Sequence, residues 1–349
     1  MEFQDIAPKL TMLLYGLIGF VVVVGGLLLV LDVVPTWFAR RREAALVAAS
    51  LQSGGAPVAR RPRKRREGTL ALAFMIPALL LLLIGLVAPA IRTIILSLQN
   101  GDSTRFVGLD NYAWIFQEND IVRVLVNTLA WVVLVPLLAT GVGLTYAVMV
   151  DRARFESVAK SLIFLPMAIS FVGAGIIWRF VYAHRGVGDQ IGLLNAVWVA
   201  LGNEPKPWLL DPPLNTFLLI VVMVWIQAGF AMVILSAAIK AIPGDIVEAA
   251  RLDGVSPWQM FWRITLPSIR PALVVVVITI MIATLKVFDI VRTMTNGNYD
   301  TNVVALEMYN QAFRYQENGH GSALAVLLFI LVIPVVIFQI RNLRRQREV

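Results

Sequence analysis

The chain has 349 residues, 58% of them apolar and only 15% charged, with a net charge of +8 and a mean hydropathy of +0.77. Soluble domains carry about 25% charged residues, and a bilayer span needs only ~20 mostly apolar ones, so this composition marks a polytopic membrane protein and excludes a soluble one. With no cysteine there are no disulfides, thiolate metal sites or cysteine nucleophiles.

Seven apolar segments follow in chain order, over roughly 10–34, 70–97, 124–150, 158–183, 215–239, 272–292 and 322–340. The first has no basic leader and no small-residue cleavage site before Pro35, and it is too long for a signal-peptide core. It therefore reads as an anchor. Asp32 and Trp37 fit its membrane interface. After it come Arg40, Arg41 and Arg42, small residues, Ser53-Gly54-Gly55-Ala56-Pro57, and the basic run through Arg60, Arg61, Arg63, Lys64, Arg65 and Arg66. This reads as a flexible linker closing on a basic anchor at anionic headgroups, with a regulatory or partner-binding role as the alternative. It separates residues 1–66 from a six-span block over 67–349.

Loop charges give the orientation. Beyond the linker, Arg152, Arg154 and Lys160 lie between spans three and four. Lys240, Arg251, Arg263 and Arg270 lie between five and six, and Arg341, Arg344, Arg345 and Arg347 close the chain. Most of the 30 Lys and Arg thus fall on alternate sides. Basic loops resist translocation, which places the N-terminus outside and the C-terminus in the cytoplasm. The same rule accounts for the net charge without nucleic acid. The only histidines, His184 and His320, fall in predicted outer loops, which argues against a metal centre. The outer loops are too short for separate domains but long enough for interfacial helices or a docking protein.

The loop Glu248–Pro271, EAARLDGVSPWQMFWRITLPSIRP, is unlike an ordinary connector. Pro243 stops span five. Asp245 is placed to cap a helix, with Glu248 completing a capping box. Gly254 sits where a left-handed C-terminal residue belongs. Ser256, with Pro257 and Gln259 behind it, starts a second helix. Met260, Phe261 and Ile264 recur on that helix, and Leu266-Pro267 and Pro271 end it before span six. Two short helices meeting at a glycine turn are expected. Ala249 and Ala250 would leave room for close contact, and Phe261 would hold the second helix down.

This loop resembles the EAA loop of bacterial ABC importer permeases, whose pattern is matched by Glu248, Ala249, Ala250, Asp253, Gly254, Leu266 and Pro267. The resemblance extends over about 70–349. Phe106-Val107-Gly108-Leu109-Asp110-Asn111-Tyr112, Phe164-Leu165-Pro166, Gly192-Leu193-Leu194-Asn195, Lys286-Val287-Phe288-Asp289 and Met294-Thr295-Asn296-Gly297 are similar to the carbohydrate branch. Leu235–Lys240 and Asn296–Asn302 look most like alpha-glucoside permeases. Many of those relatives have Gly-Gly-Pro where this chain has Gly297-Asn298-Tyr299.

The resemblance implies an all-α bundle of about seven transmembrane spans with a cytoplasmic two-helix coupling loop. It implies a non-catalytic permease subunit in a bacterial plasma membrane, taking up an oligosaccharide or alpha-glucoside. Its partners would be a second EAA-type permease, two ATPase subunits that hold the ATP and Mg, and an external sugar-binding protein or lipoprotein. No cofactor is expected on this chain. Glu248, Ala249, Ala250, Asp253, Gly254, Phe261, Leu266 and Pro267 would carry the ATPase coupling.

Sugar hydroxyls want polar partners and pyranose faces want aromatics. Trp225, Gln227 and Phe230 on span five and Thr284, Lys286 and Asp289 on span six are therefore candidates for the substrate path. Spacing from the EAA loop in maltose-type permeases points to Ile226, Gln227, Phe230, Ile280, Thr284, Val287 and Asp289, although the two amides expected on span six are absent. Gln227 and Phe230 serve equally well as helix-packing residues. Lys286 and Asp289 read as an i,i+3 pair about 21 Å along span six from Ala272. They form either a local ion pair or a polar pore lining.

Three other readings compete. An importer of peptides, phosphate or metals would share the EAA loop. An ion-coupled transporter would favour internal repeats, and none is evident. A membrane-embedded enzyme would want a histidine, a cysteine or paired carboxylates at a cavity. No GxxxxGK(S/T) motif is present for ATP hydrolysis in this chain.

Overall fold

The computed structural model describes residues 75–151, 154–186 and 188–347, with side chains described as far as Arg341. The predicted first span and the basic linker lie outside the described residues. The chain divides into two compact units, Met1–Ile91 and Arg92–Val349. The described part of the first is the start of helix α1 (Met75–Leu96), apolar throughout, with a π turn at Leu83–Val87.

The second unit is helical, and among its described residues the β-structure is one isolated bridge between Gln99 and Phe106. After the end of α1 come α2 (Asp110–Gln117) and α3 (Asn119–Val150), then α4 (Glu156–Ala168) and α5 (Phe171–Val181), followed by α6 (Leu193–Ala200) and α7 (Leu214–Lys240). Next are α8 (Gly244–Leu252), α9 (Pro257–Leu285), α10 (Asp289–Met294), α11 (Val304–Tyr309) and α12 (Asn318–Arg347). Among the described residues five helices, α1, α3, α7, α9 and α12, are long and apolar enough to cross a bilayer. A sixth crossing would be the bent pair α4 and α5.

That bend corrects the expectation of one straight span over 158–183: the axes of α4 and α5 differ by 101°. Pro166, in a 3-10 turn at Leu165–Ala168, has no N–H to continue the ladder. Ile169 is extended, and Ser170 restarts the helix by accepting from the Gly173 N–H at 3.1 Å.

The core lies where α3 and α7 pack side by side in the same direction, joined by α9. Trp131, Val135, Ala139, Leu219, Met223, Met232 and Ile280 are buried there. No hydrophobic gradient drives apolar helices together within lipid, so close backbone approach carries the packing. A Cβ at Gly143 would lie 2.5 Å from the Ala231 Cβ, and one at Gly229 would lie 2.7 Å from the Ile163 carbonyl oxygen. A smaller core at the other end joins α2, α3, α11 and α12 through Ile115, Val124, Val304 and Leu324. By contrast, α12 leaves Phe329, Ile330, Ile333 and Phe338 exposed, a surface suited to lipid.

Two further boundaries differ from the sequence reading. Leu266-Pro267 and Pro271 do not end a helix. A π turn at Phe261–Thr265 shifts the hydrogen-bond register just before Pro267, and α9 runs unbroken through both prolines. Span six instead stops at Leu285 and not near 292, and α10 begins at Asp289. His320, expected in a loop, stands in the first turn of α12, stacked on Trp114 at 3.8 Å.

Candidate functional site

Helix α8, the turn after it and the first turns of α9 form a two-helix knob at the end of the bundle where α7 stops. Pro243, with φ −54° and ψ 131°, turns the chain out of α7, and the Ile246 N–H bonds the Pro243 carbonyl at 3.2 Å. The helix therefore starts at Gly244. This corrects the expected capping box. Asp245 lies inside the first turn, too far along to cap, and no side chain caps this end, Glu248 included. Asp245 still faces the positive end of the helix dipole.

The end of α8 is as the sequence implies. Gly254 has φ +74°. Its N–H bonds the Arg251 carbonyl at 3.1 Å, and the Val255 N–H bonds Ala250 at 3.1 Å, the paired bonds of a Schellman motif. A Cβ on Gly254 would meet nothing within 4 Å, so the demand for glycine is conformational and not steric. The start of α9 is a full capping box. The Gln259 N–H bonds Ser256 Oγ at 3.3 Å and the Ser256 N–H bonds Gln259 Oε1 at 3.0 Å.

The knob presents Glu248, Ala249, Asp253 and Gly254 outward, while Ala250 and Met260 are buried. Ala250 is thus packing and not an exposed contact beside Ala249. Phe261 and Leu266 are half-buried and Pro267 is exposed. Trp258, Phe261 and Trp262 form an aromatic cluster with ring centroids 5.2 to 6.4 Å apart, and Leu252 is 84% exposed.

A charge clasp that the sequence did not reveal sits at the root of the knob. Glu156 Oε1 accepts from Lys160 and from Lys240, each at 2.5 Å. Asp151 Oδ1 lies 3.7 Å from Lys160 and 3.6 Å from Lys240. Lys160 also donates to Ser236, which is buried. Two lysines and two carboxylates thus tie the ends of α3 and α7 to the start of α4. The Glu156–Lys160 i,i+4 pair is a local pattern, but only the fold brings Lys240 to it, so the clasp as a whole had no local signal.

The six substrate-path candidates are spread out. Trp225 and Phe230 are half-buried and Gln227 is buried. Trp225 packs edge-on against Trp178 at 5.6 Å. Thr284 is buried and bonds its hydroxyl to the Ile280 carbonyl at 2.7 Å. Lys286 and Asp289 are not partners on one helix: Lys286 is the exposed residue after α9, and Asp289 opens α10. Among the described residues the two form no ion pair. The break at Lys286 places them on different helices and removes the i,i+3 geometry.

Two cavities among the described residues lie instead at the end opposite the knob. One, of about 820 Å³, is lined by residues that include Arg179, Tyr182, Trp208, Arg292, Asn296 and Tyr299. A second, of about 340 Å³, includes Asp120, Arg123, Asn127, Asp300, Glu307 and Tyr315, and Tyr299 lines both. The segment between them is unusual. Asn296, Gly297, Tyr299 and Asp300 all have φ between +56° and +77°. For a bulky residue such as Tyr299 that is an outlier, costing on the order of 1–3 kcal/mol. It persists because distant side chains hold it. Asn215 donates to the Tyr299 carbonyl at 2.7 Å, Asn127 donates to the Asp300 carbonyl at 2.6 Å, and Arg123 pairs with the Asp300 carboxylate at 2.6 Å.

A bundle of apolar helices, bent at one crossing and bearing a capped polar knob at one end, defines a polytopic helical membrane protein. Comparison with known proteins gives the family: residues 120–348 match the binding-protein-dependent transport system inner membrane component, and the chain belongs to that family. It is 50% identical over 276 residues to the osmoprotective compounds uptake permease protein GgtC of Synechocystis, covering 79% of this chain and 99% of that one. It is 47% identical over 275 residues to the alpha-glucoside transport system permease protein AglF of Rhizobium meliloti, covering 78% and 82%. A bacterial ABC transporter involved in the import of the acidic polysaccharide alginate has the same fold, with a TM-score of 0.70 at 23% identity over 80% of this chain and 96% of that one. The protein is therefore an inner-membrane permease subunit of an ABC importer, a non-catalytic component of a system that depends on a binding protein.

Proposed function

We propose that this permease imports a carbohydrate, an alpha-glucoside or similar oligosaccharide, as half of a heterodimeric path completed by a second EAA-type permease. Two ATPase subunits carry the ATP and Mg, and an external sugar-binding protein or lipoprotein delivers the solute. In this reading the knob lies in the cytoplasm, as the basic loops require, and sits in a cleft of the ATPase. Glu248, Ala249, Asp253 and Gly254 make the contact. Ala250, Phe261, Leu266 and Pro267 fix the knob to α9. The N-terminus is outside, and residues 1–66 form an anchor and linker ahead of a permease domain over 67–349. Trp225, Gln227, Phe230, Thr284, Lys286 and Asp289 remain the candidates for the substrate path.

The observation that carries this reading is the knob itself. A short helix with a Schellman end facing a capping box is a rigid lever that a passive connector does not need. The identity to an alpha-glucoside permease supports the choice of solute. The test is co-purification with candidate ATPases, followed by ATPase assays across a sugar panel. Stimulation by an alpha-glucoside is expected. Stimulation by no sugar, with transport of another solute, would overturn the carbohydrate assignment while leaving the importer intact. A second reading, uptake of osmoprotective compounds, is favoured by the 50% identical relative, and adding such compounds to the same panel separates the two.

A further inference from the structure

We propose that the 820 Å³ cavity opposite the knob is a receiving site for the solute, a saccharide-sized polyhydroxylated ligand that stacks on Tyr299. This deepens the carbohydrate reading and rests on it.

The size falls within the 300–1,000 Å³ of small-molecule sites. The lining is mostly apolar and aromatic, with a few hydrogen-bonding groups among it, and includes no Asp or Glu. Arg292 is held in place from two sides. It donates to Asn296 Oδ1 at 2.5 Å and lies over the Tyr309 ring at 5.4 Å. It enters no ion pair among the described residues, and a guanidinium has five N–H donors, so donors remain for hydroxyls. Trp208 is a fixed wall: its indole N–H bonds Asn195 Oδ1 at 3.0 Å. Tyr299, by contrast, is 51% exposed at the lip.

The strained segment gives the second line of argument. A left-handed position is natural for glycine, yet here a tyrosine occupies one, held there by Asn215 on the same residue and by Asn127 and Arg123 on the next. Gly297 already supplies one unstrained left-handed residue in this reversal. Reversing the chain does not require a side chain at 299, so a tyrosine in this conformation points to a use for its ring. An exposed aromatic residue on a mainly apolar cavity that also carries two Arg and two Asn suits a pyranoside, whose faces are apolar and whose rim is hydroxylated.

The test uses the assembled transporter in nanodiscs without its binding protein. Calorimetry measures binding of maltose, trehalose and any other sugar that stimulates the wild-type ATPase. Tyr299→Gly removes the ring while suiting the left-handed backbone, so the segment keeps its shape. It is expected to weaken sugar binding about tenfold, the scale of one lost specific contact. Tyr299→Phe is expected to stay within about twofold, and Arg292→Gln to weaken binding as Tyr299→Gly does. Wild-type affinity in Tyr299→Gly overturns the proposal. In a parallel titration with the binding protein added, an effect of Tyr299→Gly confined to its docking, equal for its solute-free and solute-loaded forms, also overturns it. Sugar-stimulated turnover with unaltered binding in both variants removes the receiving site alone, whereas no stimulation of the wild type by any sugar removes the carbohydrate reading as well.

Discussion

At Gly254 a left-handed residue closes a nine-residue helix through bonds that reach back no farther than Ala250. At Tyr299 and Asp300 left-handed residues are held by side chains from positions 123, 127 and 215. The first turn is self-sufficient, because glycine accepts the conformation at no steric cost. The second is imposed, because tyrosine and aspartate do not, and it survives only while α3 and α7 stay in register beneath it. A self-sufficient turn makes a stiff part that can be pushed. An imposed turn reports on the packing of the helices that impose it.

The largest effect should come from putting an imposed conformation where the self-sufficient one stands. Gly254→Val should leave the chain in the membrane yet abolish solute-stimulated ATPase activity of the reconstituted complex. A β-branched residue at φ +74° costs ~1–2 kcal/mol or more in local strain and would bend the knob away from the shape the proposed ATPase contact needs. Gly254→Asn, which tolerates that region, should keep most of the stimulation. Retained stimulation in the valine variant would count against the lever.

Next comes the imposed turn. Asn127→Ala removes the donor shared by the Asp300 and Asn302 carbonyls and should cost about 1 kcal/mol. The check is faster amide exchange confined to 296–302. Ser256→Ala breaks the capping box of α9 and should also cost about 1 kcal/mol, read as a lower unfolding temperature with no change in exchange at 296–302. Arg123→Ala should do least. Both partners of its ion pair are about half exposed, and such pairs contribute ~0–1 kcal/mol. Its effect on the segment should fade further as salt is raised.

The same contrast explains what could be read from sequence. The Gly254 turn and the Ser256–Gln259 box are written in adjacent residues, so both were legible. The five long apolar helices were legible because a bilayer imposes length and composition on each separately. The bend at Ile169 was not, since a proline in an apolar run marks a kink or a full break equally well. Nor was the passage of α9 through Pro267 and Pro271, which depends on a π turn with no sequence signature of its own. The Asp245 cap failed because Pro243 had already set the direction of the chain, starting the helix two residues early. The charge clasp and the strained segment were invisible for another reason. Their partners are up to 177 residues apart, and nothing near Tyr299 announces that Asn215 waits for its carbonyl.

Helix α9 joins the capped turn at Ser256 to the break at Lys286 without interruption. Its 29 residues make an axle about 43 Å long at 1.5 Å per residue. If the knob is driven as proposed, its stroke need not be relayed through a succession of side chains, each with its own slack; it would arrive at Lys286 as displacement of a single covalent shaft. The compliant points are then confined to the two extremities, the π turn near the base and the three-residue hinge before α10. Amplitude at the far side of the membrane would be tuned there, and not along the shaft.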